Sequence, residues 1–287
     1  MKTVTLVPGL SVLADRYRAV VCDVWGVLHN GVVGYGEAGE ALRRFRADGR
    51  PVVLLTNAPR PAYEVEAILA RFGIPRDAYD CIVTSGDACR GHLKREGAVR
   101  VLHLGPPRDL PLFEGLKLDL VGEEEAELVV CTGLFDDDTE TAEDYRALLG
   151  RCLARGLRMF CANPDIVVER GDRLIYCAGA IAQLYDDMGG ETVMFGKPHK
   201  PVYDIALETV AEIAGEPIAH HDVLAIGDAL PTDVKGAWGQ GLPVLMVTAG
   251  IHAADFGPAD APDPAAVAKR LAIEGLEITA AVPRLVW

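Results

Sequence analysis

The sequence predicts an α/β protein whose parallel-sheet core is interrupted by a second, smaller α/β unit. Three observations carry this expectation. Short apolar runs of strand length alternate with segments of helical periodicity along most of the 287 residues, the pattern of βαβ units and a parallel sheet. Several of these runs end on polar residues, and the carboxyl edge of such a sheet is where ligands bind. From about residue 98 the alternation reads as a separate unit, and near residue 190 the first pattern returns.

The elements follow in order. Residues 1–18 form an amphipathic lead-in, with a short helix expected over 9–16. The first strand is expected over 19–24, its AVVC running directly into Asp23, and a loop follows through Gly26, His29, Asn30 and Gly31. Apolar Ala38, Ala41, Leu42 and Phe45 at helical spacing predict a helix over 37–48, stopped at Gly49. VVLL (52–55) is a second buried strand ending on Thr56 and Asn57. A helix from Pro61 to Phe72 begins on a proline, whose missing N–H is an orphan there in any case. Residues 81–84 make a third strand and 87–95 another helix. In the second unit, 100–105 and 127–134 read as strands separated by a loop-like GPPRDLPLFEG. TETAEDYRALLGRCLARG (139–156) reads as one amphipathic helix, with Thr139 or Thr141 as N-cap and Gly156 as C-cap. RMFCANPD is a strand ending in a polar turn, and 179–188 is helical. TVMFG (192–196) is a strand stub leading to Lys197 and Pro198. A helix over 201–214, the strand DVLAIGDA, a helix capped by Thr232, the strand PVLMVTAG and a helix over 265–273 complete the chain. The expected division is a discontinuous core, 1–85 and 190–287, around an inserted cap, 86–189.

Composition bounds the function. Half the residues are hydrophobic and about a quarter charged, with 42 acidic against 28 basic residues and a net charge of −14, so a substantial core is expected and disorder is not. So acidic a surface argues against nucleic acid and anionic membrane as partners, since both are bound mainly through Lys and Arg. It would also repel a phosphate ester unless the site supplied local positive charge. Seven cysteines without a CxxC argue for a reducing cytosol and against a disulfide framework or structural zinc. No apolar leader and no run approaching 18 apolar residues stands in the sequence, so neither a signal peptide nor a membrane span is expected, and the protein is expected in the cytoplasm.

Four segment ends carry polar residues: Asp23, Thr56 with Asn57, Lys197, and Asp228 with Asp233. If the strands are parallel neighbours, all four meet at one sheet edge. The chemistry that needs this set is phosphoryl transfer through an aspartyl intermediate. A carboxylate attacks phosphorus, magnesium offsets its repulsion from the phosphate, a lysine and a hydroxyl bind the remaining oxygens, and further acids hold the metal. Asn163 and Asp165, in ANPD, either face this site or end a strand in a turn. The Asp136–Asp138 run reads as a solvated helix approach, and His103, Cys22, Cys131 and Cys161 as core fillers.

These residues resemble the motifs of the haloacid dehalogenase (HAD) superfamily of phosphatases. Asp23 stands where the nucleophile stands, LLTNAPR (54–60) resembles the second motif with Thr56 as phosphate ligand, GKP (196–198) the third with Lys197, and IGDALPTDVKGA (226–237) the fourth, with Asp228 and Asp233 at the metal. The spacing is most similar to subclass IIA, the NagD-like group, which includes nucleotide, sugar-phosphate and phosphoglycolate phosphatases. The resemblance implies a HAD-like Rossmannoid core with an inserted C2-type α/β cap, a Mg2+ cofactor, a small phosphorylated metabolite as substrate and, by analogy alone, a cap-mediated homodimer. It also implies that the backbone carbonyl of Trp25 ligates the metal; Asn57 reads either as a turn former or as a phosphate ligand, through its backbone N–H more than its side chain.

One position departs from the pattern. The family's general acid/base, an Asp two residues after the nucleophile, is Trp25 here, and indole has no proton to exchange near neutral pH. General acid–base catalysis contributes about 10²–10⁴-fold. His29, in the same loop, titrates near neutrality, so His29 or a cap residue is the expected substitute. Three readings follow: a magnesium-dependent phosphatase working through phospho-Asp23, a phosphate- and metal-binding regulatory protein impaired by Trp25, or a phosphotransferase whose acceptor brings its own acid–base chemistry. A metal-free dehalogenase would leave Asp228 and Asp233 unexplained.

Overall fold

The computed structural model describes residues 3–287. Six strands form one all-parallel sheet: β1 (Ala19–Cys22), β2 (Val52–Thr56), β3 (Cys81–Thr84), β11 (Val223–Gly227), β12 (Val244–Val247) and β13 (Ala280–Val282), in the order β13-β12-β11-β1-β2-β3. A second parallel sheet contains β4 (Val99–Leu104), β5 (Leu118–Leu120), β6 (Leu128–Cys131), β7 (Arg158–Cys161) and β10 (Glu191–Met194), in the order β10-β7-β6-β4-β5. The remaining strands, β8 (Val167–Arg170) and β9 (Arg173–Tyr176), form an antiparallel hairpin closed by Gly171 and Asp172.

Period-two alternation explains why β1 and β11 are apolar throughout. Val20, Cys22, Leu224 and Ile226 enter one core, beneath the helix Gly36–Arg46 that supplies Ala41, Leu42 and Phe45. Ala19, Val21, Val223 and Ala225 enter the other, against Val202, Tyr203, Ala206 and Val210 of the helix Lys200–Ala214. A strand covered on both faces has no polar side to show. The smaller sheet is covered in the same way, by the helices Arg146–Ala154 and Ala178–Asp187 on one face and by Cys89 and Leu93 of Ser85–Glu96 on the other.

The two units meet where the chain crosses between them. Ser85 donates its hydroxyl proton to the carbonyl of Phe195, so the outgoing and returning crossings lie side by side. The Arg60 guanidinium also reaches the buried Asp109 carboxylate at 2.7 Å, linking the loop after β2 to the smaller unit.

Several expectations need correction. The stub before Lys197 belongs to the smaller sheet, since Glu191–Met194 pairs with Arg158–Cys161; the return to the larger sheet lies after residue 194 rather than at 190. The helix expected over 139–156 is a 3₁₀ turn, Ala142–Tyr145, continued by Arg146–Ala154, and Thr141 rather than Thr139 forms the capping box with Asp144. Thr232 is not a cap: it lies inside a wide turn, Leu230–Val234, that runs into the helix Lys235–Gly239. The hairpin β8–β9 and strands β5 and β13 were absent from the sequence reading. All seven cysteines are free thiols. Among the described residues no helix is long and apolar enough to cross a membrane.

Candidate active site

The central position of β1 between β11 and β2 decides the site. Three adjacent strands end together, so Asp23, Thr56 and Asp228 emerge at one edge. Ligand oxygens of Asp23, Asp228 and Asp233 lie within 4.8 Å of one another, and all three side chains are buried. Close approach depends on Gly26, whose φ is +86° and where a Cβ would lie 2.3 Å from an Asp228 carboxylate oxygen. The turn 230–234 brings Asp233 back, and its second oxygen accepts from the Ala229 N–H at 3.1 Å.

Lys197 reaches the same point from the smaller sheet's last strand, not from a strand of the larger sheet. Its ammonium lies 2.5 Å from Asp23 and 2.7 Å from Asp233. Burial alone would push Lys197 down, but the two carboxylates outweigh it and hold the ammonium charged. Burial pushes the Asp23 carboxyl well up, Asp233 adds to the rise, and Lys197 opposes it. Asp228 is also raised, by burial and then by Asp233, against the Ile251 N–H that it accepts at 2.8 Å. Three carboxylates against one ammonium leave an excess of negative charge, and a hard cation with oxygen ligands matches that donor set.

Thr56 is buried, lines the cleft and accepts the Ala58 N–H. The Asn57 side chain does not wait for phosphate. Its oxygen accepts the Lys197 N–H at 2.7 Å, and its amide donates to the Lys197 carbonyl at 3.1 Å and to Asp165 at 2.9 Å. That amide clamps Lys197 in place, leaving the backbone N–H for any phosphate contact.

Asp165 lines the cleft; Asn163 does not, and instead accepts the Asp165 N–H at 3.0 Å in a side-chain turn that aims Asp165. Trp25 lines the cleft, but its indole N–H donates to the carbonyl of Glu169 at 2.6 Å and its ring meets His29 edge-on at a centroid distance of 4.9 Å. His29, the expected substitute acid, does not line the cleft. It is 2 % exposed, stacks on Phe72 and accepts the Gly31 N–H through Nδ1. Burial lowers it to about 4, so the imidazole is neutral at physiological pH.

The hairpin β8–β9 was the main omission. Val167, Val168 and Glu169 roof the cleft. Two apolar-containing runs around Gly171–Asp172 were a readable hairpin signal. Tyr35, Gly250 and Ile251 also line the cleft without any motif to mark them.

Two family models match: residues 20–118 match haloacid dehalogenase-like hydrolase, and residues 194–273 match a second model of HAD-hydrolase-like proteins. The crystal structure of a haloacid dehalogenase-like hydrolase from Brucella suis is 47% identical, covers 98% of this chain and 100% of its own, and superposes with a TM-score of 0.87. The chain belongs to the haloacid dehalogenase-like family. Further relatives of this family include a 5'-nucleotidase, YutF, from Bacillus subtilis, 26% identical over 82% of this chain and 88% of its own. A D-glycerol 3-phosphate phosphatase from Mycobacterium tuberculosis is 28% identical over 84% of this chain and 66% of its own. The two family models flank the 119–193 stretch, which carries Asp165 and the roofing hairpin.

Proposed function

We propose that this chain is a magnesium-dependent phosphatase that hydrolyses a small phosphorylated metabolite through a phosphorylated Asp23. The convergence of Asp23, Asp228, Asp233 and Lys197 on one buried point carries the reading. The relatives named as a 5'-nucleotidase and a D-glycerol 3-phosphate phosphatase support it, both names describing cleavage of small phosphate esters.

Asp23, Asp228 and Asp233, with the backbone carbonyl of Trp25, would hold the ion. Bound there, magnesium would supply the positive charge that lets an anionic ester approach an anionic nucleophile. Lys197 is poised beside the nucleophile to balance charge on the transferring phosphoryl group, the Thr56 hydroxyl and the Asn57 N–H bind its oxygens, and the inserted unit, as a cap, excludes water.

The test is phosphate release from a panel of monoesters with magnesium or a chelator, with Asp23→Asn in parallel. Release that stops in the variant and with chelator is expected; a variant as active as wild type would end the proposal. A second reading, a binding protein without turnover, draws on Trp25, whose N–H is committed to Glu169. Bound magnesium and phosphate with no release from any ester would favour it.

A further inference from the structure

We infer that Asp165 is the group that exchanges a proton with the leaving alcohol and then with water, the task that Trp25 cannot perform. The inference rests on the phosphatase reading above. Asp23, Lys197, Asp228 and Asp233 are occupied with one another, and His29 is walled off behind Trp25 and Phe72. Of the other titratable side chains lining the cleft, Tyr35 carries Arg284 over its ring, and Glu169 sits on the hairpin that the Trp25 indole holds through its main chain.

Asp165 is placed differently. It is joined to the loop after β2, the proposed phosphate loop, by the Asn57 amide, the same side chain that clamps Lys197. Behind it, the Asp165 carbonyl accepts the N–H of Gly179 at 3.1 Å, at the start of the helix Ala178–Asp187. At Gly196, φ +129°, a Cβ would lie 2.5 Å from the Asn57 side-chain oxygen and 2.8 Å from Pro164, so the glycine lets the Asp165 turn press directly on the phosphate loop. The carboxyl is therefore fixed against the reaction edge, as proton transfer requires. Burial raises it to about 6, Asp233 adds to the rise, and Lys197 and the Asn57 amide oppose it. Asp228 and the Cys161 and Cys177 thiols complete its titratable surroundings. A protonated fraction thus persists in neutral solution.

In the first step an Asp23 oxygen bonds to phosphorus, the bond from phosphorus to the alcohol oxygen breaks, and that oxygen takes the Asp165 proton to leave as the alcohol. In the second, the Asp165 carboxylate accepts a proton from water as the water oxygen bonds to phosphorus. The bond from phosphorus to Asp23 breaks, returning the Asp23 carboxylate and releasing phosphate.

The experiment compares p-nitrophenyl phosphate, whose leaving group needs no proton, with three alkyl esters: glycerol 3-phosphate, glucose 6-phosphate and AMP. Asp165→Asn, Asp165→Ala, Glu169→Gln and Asp23→Asn are assayed with magnesium. Asp165→Asn is expected to lower kcat/KM on the alkyl esters by about 100-fold or more. On the aryl ester it is expected to give a burst of one p-nitrophenol per enzyme followed by slow turnover, since only the water step then lacks its base. Asp165→Ala should show the same split, so the result does not depend on one variant folding. Equal losses on both ester classes without a burst, unchanged rates, the same split in Glu169→Gln instead, or a wild type that cleaves the aryl ester and no alkyl ester would each overturn the assignment. Activity retained in Asp23→Asn would instead refute the underlying phosphatase reading.

Discussion

His29→Gln separates a structural imidazole from a catalytic one. The ring is 2 % exposed between Trp25 and Phe72, and burial lowers it from 6.5 to about 4. The unfolded chain therefore binds the proton first on acidification. The contribution of neutral His29 is fully present above pH 6.5 and is lost as the pH falls toward 4. The shift corresponds to about 3 kcal/mol in all, of which about 2 kcal/mol is already lost at pH 5. Urea unfolding of wild type and His29→Gln at pH 8, 7, 6 and 5 measures this directly, because the other groups titrating there cancel in the difference. The stability gap between the two proteins should narrow by about 2 kcal/mol from pH 8 to pH 5. The His29 Cε1 resonance should show no titration down to about pH 5, and the pH profile of kcat should be the same in both proteins. A parallel pair of stability curves, or a kcat profile that moves with the substitution, would refute the argument.

Magnesium should raise the unfolding midpoint of the wild type, by about 2.7 kcal/mol of added stability at a hundred times its dissociation constant. Asp228→Asn should lose most of that shift in the same thermal scan. Trp25→Phe keeps a ring against His29 but removes the indole donor to Glu169, a net cost of about 0.5–1.5 kcal/mol. Amide exchange should therefore quicken over Val167–Tyr176 and stay unchanged in β1 and β11. Gly196→Ala places a Cβ against Asn57 and Pro164. Displacing the Lys197 clamp and Asp165 together should cut phosphatase activity by about 100-fold, with far-ultraviolet circular dichroism preserved.

The chain alone determined the fold class and most of the reaction edge. Uninterrupted apolar runs such as AVVC and VLAIG, alternating with helical segments, read as strands covered on both faces, and once β11, β1 and β2 pair as parallel neighbours, Asp23, Thr56 and Asp228 emerge together. Asp233 followed from its spacing after Asp228. What pattern could not convey was contact between segments distant in sequence. Lys197 looked like the end of a larger-sheet strand because a five-residue stub, TVMFG, carries no record of its partner; pairing with β7 is a tertiary fact. Asn57 had the chemistry of a phosphate ligand, and only the folded chain shows its amide fully used by Lys197 and Asp165. His29 and Asp165 were both left open as contributors to the site, and the folded chain decides between them for the same reason. A sequence gives an imidazole its ordinary pKa and a turn carboxylate an ordinary turn, whereas packing withdrew His29 from the cleft wall and set Asp165 in it. Ionisation depends on surrounding solvent and charge, and those are fixed only when residues far apart in the chain close around the group.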